Sequence, residues 1–281
     1  MTSIINLKSK SENKIKLALK NITVTFSSSN GHQVLAVNDV SLDVYEQEFI
    51  ALIGTSGCGK STLLNVMAGL ITADSGQVLI DGVETVGINR KIGYMSQIDS
   101  LLPWATVMDN VALGLELRGI SKKERMAMAR ELIVRIGLTG FEYSYPHELS
   151  GGMKKRVTIA RVLAIDPEIL FMDEPFGPLD AFTKEMLQDD ILKIWHETKK
   201  TIVYVTHDLS EAISLADRVV LISSRPGKVK AEYNIALPRP RNVMDIKYDA
   251  NYVDIERTIW LQLKEEVIKG KEGIGHVSKI S

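Results

Sequence analysis

The sequence predicts an α/β fold, and three observations carry that prediction. The runs "ILFM", "TIVYV" and "RVVLI" are short, continuous, apolar and rich in β-branched residues, as expected of strands buried on both faces of a parallel sheet. Helix-like stretches separate them. The run "FIALI" leads straight into a glycine-rich loop, "GTSGCGKST", which opens into a helix-like segment. The region from about 98 to 160 then breaks the alternation and reads as mostly helical.

Taken in order, residues 1 to about 16 are charged and read as a frayed end. From Ile22 to about Ile53, "ITVTF", "VLAVNDVSLDV" and "FIALIG" read as strands with Ser, Asn and Gly turns between them. Residues 60–70, "KSTLLNVMAGL", read as a helix leaving the glycine loop, and "GQVLIDG" and "KIGYMSQ" as further short strands. "SKKERMAMARELIVRIGL" begins with a capping box, Ser121 and Glu124. Its apolar positions Met126, Ala129, Ile133 and Ile136 share one helical face, and Gly137 is a natural stop. "LPRPR" punctuates the end of the strand-rich region, and residues 242–281 read as a helical tail around "VDIERTIWLQLKEEVIKG". There is no internal repeat and no low-complexity segment.

The chain has 281 residues, 45% of them hydrophobic, enough for a sizeable core. Its 34 Lys and Arg nearly balance 35 Asp and Glu, which argues against a broad nucleic-acid-binding face. The single cysteine, Cys58, excludes an internal disulfide framework and fits a reducing compartment. The Lys-rich N-terminus has no apolar core of a secretory signal, and no run approaches the ~18 apolar residues of a membrane span. The expectation is a cytosolic soluble protein. If it works at a membrane, another chain supplies the spans.

The chemistry concentrates at a few places. Gly54 to Ser61 matches the phosphate-loop pattern G-x-x-x-x-G-K-[ST]. Backbone amides of Gly54, Thr55, Ser56, Gly57, Cys58 and Gly59 would converge on a β-phosphate, and the following helix offers its positive end. Lys60 would reach the β and γ oxygens, Ser61 would be a Mg²⁺ ligand, and Thr62 would reach the α-phosphate. Cys58, set in electropositive surroundings, is expected to be a reactive thiol of lowered pKa. "ILFMDEP" ends a buried strand in two acids: Asp173 as a Mg²⁺ ligand and Glu174 as the base for an attacking water. Two solvated acids capping a strand would read the same in isolation, but not beside a phosphate loop. His207, ending "VYVTH", would bond the γ-phosphate and the water, and Gln97 would add an oxygen to Mg²⁺. Alone, each reads more readily as an ordinary polar residue. Phe26 either stacks on adenine or belongs to the core. "LSGGMKKR" places Ser150, Gly151 and Gly152 at a helix start, a second anion site roughly ninety residues past the first.

These motifs, in this order and with "GPLD" at 177–180, resemble the ATP-binding cassette ATPases over roughly residues 17–240. The resemblance implies a RecA-like P-loop NTPase core with an antiparallel β subdomain (17–97 and 161–241), an inserted helical subdomain (98–160) and a short helical tail (242–281), in one domain. It implies ATP and Mg²⁺ as ligands, Asp180 among the nucleotide-binding residues, and a head-to-tail pair of cassettes in which Ser150, Gly151 and Gly152 serve the nucleotide held by the other subunit. "LLPWATVMDNV", "DEPFGPLDAFTK" and "SRPGKV" with "LPRPR" resemble the ATPase subunits of bacterial importers for nitrate, sulfonates, taurine and related solutes. The partners so implied are transmembrane permease subunits, a second or paralogous ATPase, and a periplasmic or lipid-anchored solute-binding protein. The place implied is the cytoplasmic face of the inner membrane. Pro103 and Trp104 either line the docking groove for the permease or, in the case of Trp104, lie in the core. Met153 stands where the broad family has Gln, Pro178 where it has a small residue, which would stiffen that loop, and Gln47 where it has Gly. The alternatives are a chromosome-maintenance or ribosome-acting cassette and a nucleoside kinase. The first would need long coiled coils or a second cassette, and the kinase would lack "LSGG".

Overall fold

The computed structural model describes residues 14–27, 31–177 and 179–277. The frayed end expected at the N-terminus lies largely outside them, and so does Pro178.

Two sheets form. β1 (Ile15–Ser27), β2 (Gln33–Tyr45), β4 (Ser75–Ile80) and β5 (Val83–Glu84) make an antiparallel sheet in the order β2-β1-β4-β5. β3 (Phe49–Ile53), β6 (Ile92–Met95), β7 (Ile169–Asp173), β8 (Thr201–Val205), β9 (Arg218–Ile222) and β10 (Val229–Asn234) make the second, in the order β10-β9-β3-β8-β7-β6. Within it β9, β3, β8, β7 and β6 run parallel and β10 closes one edge antiparallel. Every residue of β3, β7, β8 and β9 is buried, which is why their runs carry no polar alternation. Burying each such Ile, Val or Leu contributes about 1.5–3 kcal/mol.

β1 begins at Ile15, earlier than the run from Ile22 suggests. Lys16 and Lys20 obscure the pattern, yet Lys16 is buried and its ammonium is paired with Asp81 and Glu168. Gln47 sits at φ 62°, the left-handed region, so the turn that usually takes Gly is kept here at some backbone strain. Its amide is held by the Thr201 hydroxyl at 3.0 Å.

The helical part comprises α2 (Val107–Leu117), α3 (Lys122–Arg135) and α4 (Gly151–Ala164), around a separate core that includes Val111, Leu115, Ala129, Ile133, Val157 and Ala160. Ser121 caps α3 by accepting from the Glu124 amide, and Gly137 ends it with φ 69°. α4 runs on to Ala164, so the turn back to the parallel sheet comes after residue 160, not at it. α1 (Lys60–Met67), α5 (Ala181–Thr198) and α6 (Leu209–Leu215) flank the parallel sheet. The tail forms one long helix, α7 (Ala250–Val277), which seats Tyr252, Ile259 and Leu263 in the main core.

Candidate active site

The strand order puts the chemistry on one edge. β3, β8, β7 and β6 are consecutive parallel neighbours, so their carboxyl ends lie side by side. The phosphate loop follows β3, His207 follows β8, Glu174 follows β7 and Gln97 follows β6. This is where ligands bind in open α/β sheets.

Gly59 caps α1 with φ 104° and offers no side-chain bond to the helix's first amides. Those amides are left for an anion. Lys60 is buried, and its ammonium donates to the Gly54 and Thr55 carbonyls at 3.0 Å each, folded across its own loop. The Ser61 hydroxyl, in the first turn of α1, donates to Asp173 Oδ1 at 2.9 Å. Thr62 follows in the same turn.

Asp173 is 8% exposed. Burial pushes its carboxyl above the usual range; the Ser61 hydroxyl and Lys60 pull down, while the neighbouring charge of Glu174 pushes up. Glu174 has φ 42°, an uncommon conformation for a side-chain-bearing residue and a form of strain that clusters at functional sites. Its carboxylate meets two of the residues singled out in the sequence. Gln97 Nε2 donates to Oε2 at 3.4 Å, and His207 Nδ1 lies 3.1 Å from the same oxygen. The structure thus brings Lys60, Ser61, Asp173, Glu174, Gln97 and His207 to one edge.

Sequence reasoning missed the side chains that brace this cluster. Lys155 on α4, 3% exposed, pairs with Asp99 at 2.7 Å and donates to the Gln97 carbonyl at 3.3 Å. Arg161, two turns on, binds the Ser100 carbonyl and hydroxyl at 2.7 and 2.6 Å. Behind His207, Glu211 is buried and accepts from Tyr204 and Thr206 at 2.8 Å each, with Lys184 at 3.0 Å. A charged residue on the buried stripe of its helix was the available signal for Lys155 and Glu211.

One expectation is overturned. Cys58 is 1% exposed, and burial raises the pKa of its thiol more than Lys60, 3.8 Å from the sulfur, lowers it. It is therefore a structural thiol, not an activated one. In the folded protein Cys58 should react with iodoacetamide at least ~10-fold more slowly than free cysteine at neutral pH. Alkylation followed by intact mass measures this, and a rate equal to that of the unfolded chain would contradict the buried placement.

Phe26 lies opposite Val34 on the antiparallel sheet and is 43% exposed, so it is not core. Val34 is one strand repeat from Ala36, whose carbonyl abuts Gly59, which puts Phe26 near the loop without a bond to it. Trp104 is 74% exposed and likewise outside the core.

The second glycine motif stands apart. Ser150 caps α4, its hydroxyl accepting from the Met153 amide at 3.3 Å. α4 packs on β6 and α5. β6 is three strands from β3, about 14 Å at the usual ~4.8 Å spacing. Among the described residues no hydrogen bond joins Ser150, Gly151 or Gly152 to the phosphate loop. Gly152 has a packing reason as well: a Cβ there would lie 2.8 Å from Thr183 Cγ2 at the start of α5. Asp180 caps α5 by accepting from the Thr183 amide at 2.9 Å, and those bonds hold its carboxyl below the usual range. Among the described residues it makes no bond to the phosphate loop.

Comparison with known proteins fits this geometry. The family model described as ABC transporter matches residues 37–177, from β2 through the acids of β7. The uncharacterized ABC transporter ATP-binding protein MJ0412 of Methanocaldococcus jannaschii is 47% identical over 94% of this chain and 97% of its own. The taurine import ATP-binding protein TauB of Rhizobium johnstonii is 45% identical over 79% of this chain and 85% of its own. Among solved structures, the dimeric post-hydrolysis state of the ATP-binding cassette MJ0796, bound to ADP and Pi, superposes with a TM-score of 0.70 at 34% identity, covering 79% of this chain and all of the other. A cassette fold, a phosphate loop with two acids and a histidine at one sheet edge, and these relatives lead to one conclusion: the chain belongs to the ABC transporter family and is one of its ATP-binding, ATP-hydrolysing subunits.

Proposed function

We propose that the protein is the ATPase subunit of an importer for a small solute, a nitrate-, sulfonate- or taurine-like anion or a related small molecule, and that Glu174 is its catalytic base. The convergence of Glu174 with Gln97 and His207 beside the phosphate loop carries the reading. The amides of 54–59 and Lys60 hold the β- and γ-phosphates, and Thr62 the α-phosphate. Glu174 takes the proton of a water whose oxygen attacks the γ-phosphorus; the bond to the β,γ-bridging oxygen breaks, leaving ADP and phosphate. His207 holds the γ-phosphate and that water. Phe26 stacks on adenine.

The residues present fit Mg²⁺. Ser61, Asp173 and Gln97 offer the hard oxygen ligands it prefers, and the buried Asp173 carboxyl lacks a full counter-charge. Among the described residues no three His, Cys, Asp or Glu side chains cluster tightly enough to hold a metal, so the ion would share nucleotide oxygens. When bound, Mg²⁺ neutralises charge building on the phosphates.

Ser150, Gly151, Gly152 and Asp180 act on the nucleotide of a facing second cassette, identical or paralogous. Their distance from their own loop supports this. The whole chain works as one cassette domain, with 17–97 and 165–241 as core and β subdomain, 98–164 as helical subdomain and the segment from 242 as tail. No described helix is long and apolar enough to cross a membrane. The likeness to taurine import ATP-binding proteins supports a subunit that sits peripherally on the cytoplasmic face, against permease subunits that carry the spans, with a solute-binding protein on the far side. The exposed Trp104, beside Pro103, marks the docking groove.

Pull-down from detergent extracts of the native host should recover a highly apolar permease subunit, and deletion should abolish growth on taurine, a sulfonate or nitrate as sole sulfur or nitrogen source. Recovery of ribosomes or DNA without a membrane protein would refute the importer reading.

A further inference from the structure

The stretch "SRPGKV" has no part in the chemistry described so far, yet it touches the phosphate loop. Residues 223–228 form the turn between β9 and β10. Gly227 is pinned to β2: its amide donates to the Ala36 carbonyl at 2.9 Å, and its carbonyl accepts from the Asn38 amide at 3.0 Å. A Cβ on Gly227 would lie 2.2 Å from the Cys58 carbonyl oxygen, so only glycine lets the turn press this closely on the loop. Arg225, at the tip, donates through Nε and Nη2 to the Gly57 carbonyl at 3.3 and 3.1 Å.

The Gly57 carbonyl and the Cys58 N–H belong to one planar trans peptide and point opposite ways. A cation that holds the oxygen outward therefore fixes the tilt of the amide aimed inward, and polarises it. That amide otherwise reaches only the Thr55 carbonyl at 3.3 Å, a long bond that a phosphate oxygen can replace.

The turn is anchored from the other side by α7. Glu266 is 3% exposed. One carboxylate oxygen accepts from the Ser224 amide and hydroxyl at 2.7 and 2.9 Å, the other from Lys230 at 2.9 Å. Glu265 also pairs with Lys230, and Lys269 stands 3.6 Å from Glu266. Burial pushes the Glu266 carboxyl up, but Lys230 and the Ser224 donors more than offset this and hold it down at about 2. It is ionised throughout the working pH range, as a fixed anchor must be.

We propose that Arg225 is a positioning residue for the phosphate loop, and that Glu266 holds it in register through Ser224, so that the C-terminal helix sets how tightly the loop grips a nucleotide's β-phosphate. This rests on the reading of residues 54–61 as the nucleotide site. The relation is mechanical and needs no ligand on α7 itself.

The test is displacement of a fluorescent ADP analogue by ATP, ADP and AMP from the full chain. Arg225→Ala should weaken ATP and ADP equally, about three- to tenfold, the size of one lost hydrogen bond, and barely change AMP. Arg225→Lys, which keeps a donor, should recover most of the loss. In turnover, Arg225→Ala should raise KM by a similar factor and lower kcat far less. Glu266→Ala should weaken ATP too, and the double variant should be no worse than the weaker-binding single. Arg225 is exposed, so its variant tests the proposal even if Glu266→Ala unfolds. Additive losses, or parental affinity in Arg225→Ala while Lys60→Ala abolishes binding, would overturn the strut. Parental affinity in Lys60→Ala itself would instead remove the reading of the loop on which it rests.

Discussion

Glu174→Gln should bind ATP as tightly as the parent and turn it over about 10²–10⁴-fold more slowly. The substitution is nearly isosteric, and the amide oxygen can still accept from Gln97 at the 3.4 Å position. What it loses is the capacity to take a proton. The backbone strain at φ 42° is unchanged by it, so the fold and the loop should persist. With hydrolysis blocked, the nucleotide-bound pair should accumulate as a closed dimer. Single-turnover kinetics with radiolabelled ATP, together with gel filtration in ATP, measure both effects. A variant that hydrolyses at close to the parental rate would take the base role away from Glu174.

The second large effect concerns which nucleotide Ser150 serves. If each site joins Lys60 of one subunit to Ser150 of the other, Lys60→Ala and Ser150→Ala homodimers each carry two damaged sites. A heterodimer of the two variants concentrates the damage. One site loses both groups, and the other keeps both. Occlusion is the right measurement, because turnover can require two working sites. The mixed dimer should trap about one ATP, while neither homodimer should trap it stably, as follows from gathering both phosphate-binding groups in one site. If the mixture, with heterodimers verified by differential tags, traps no more than the homodimers, Ser150 does not act across the interface.

The placement of α4 gives that experiment its force. "LSGG" was legible as a glycine-rich helix start fit for an anion, because the pattern is local. Which anion was not legible. Ser150 caps α4, which packs on the edge strand β6, while the phosphate loop leaves β3, and that separation is a product of strand order. Gly152 shows the same division: its spacing suggested phosphate, and only the packing of α4 on α5 reveals Thr183 in the space a side chain would need.

The strands of the parallel sheet were readable because burial on both faces leaves an unbroken apolar run, as in β7 and β8. β5, two exposed residues long, carries no such signal and exists only because β4 offers it a ladder. The start of β1 was hidden by Lys16, whose burial depends on carboxylates 65 and 152 residues away.

By itself the sequence determined the strand–loop–helix of residues 49–67, the acids that end β7, the helical insertion and the family. Each is a matter of residue type at short spacing, which the backbone's two periodicities turn directly into structure. Tertiary structure alone decided that Gln97 meets Glu174 across 77 residues, that Cys58 is sealed in apolar surroundings rather than activated by Lys60, and that Glu266 reaches the turn bearing Arg225. Those outcomes depend on which strands are neighbours and where water is excluded, and both are set by packing between segments distant in the chain.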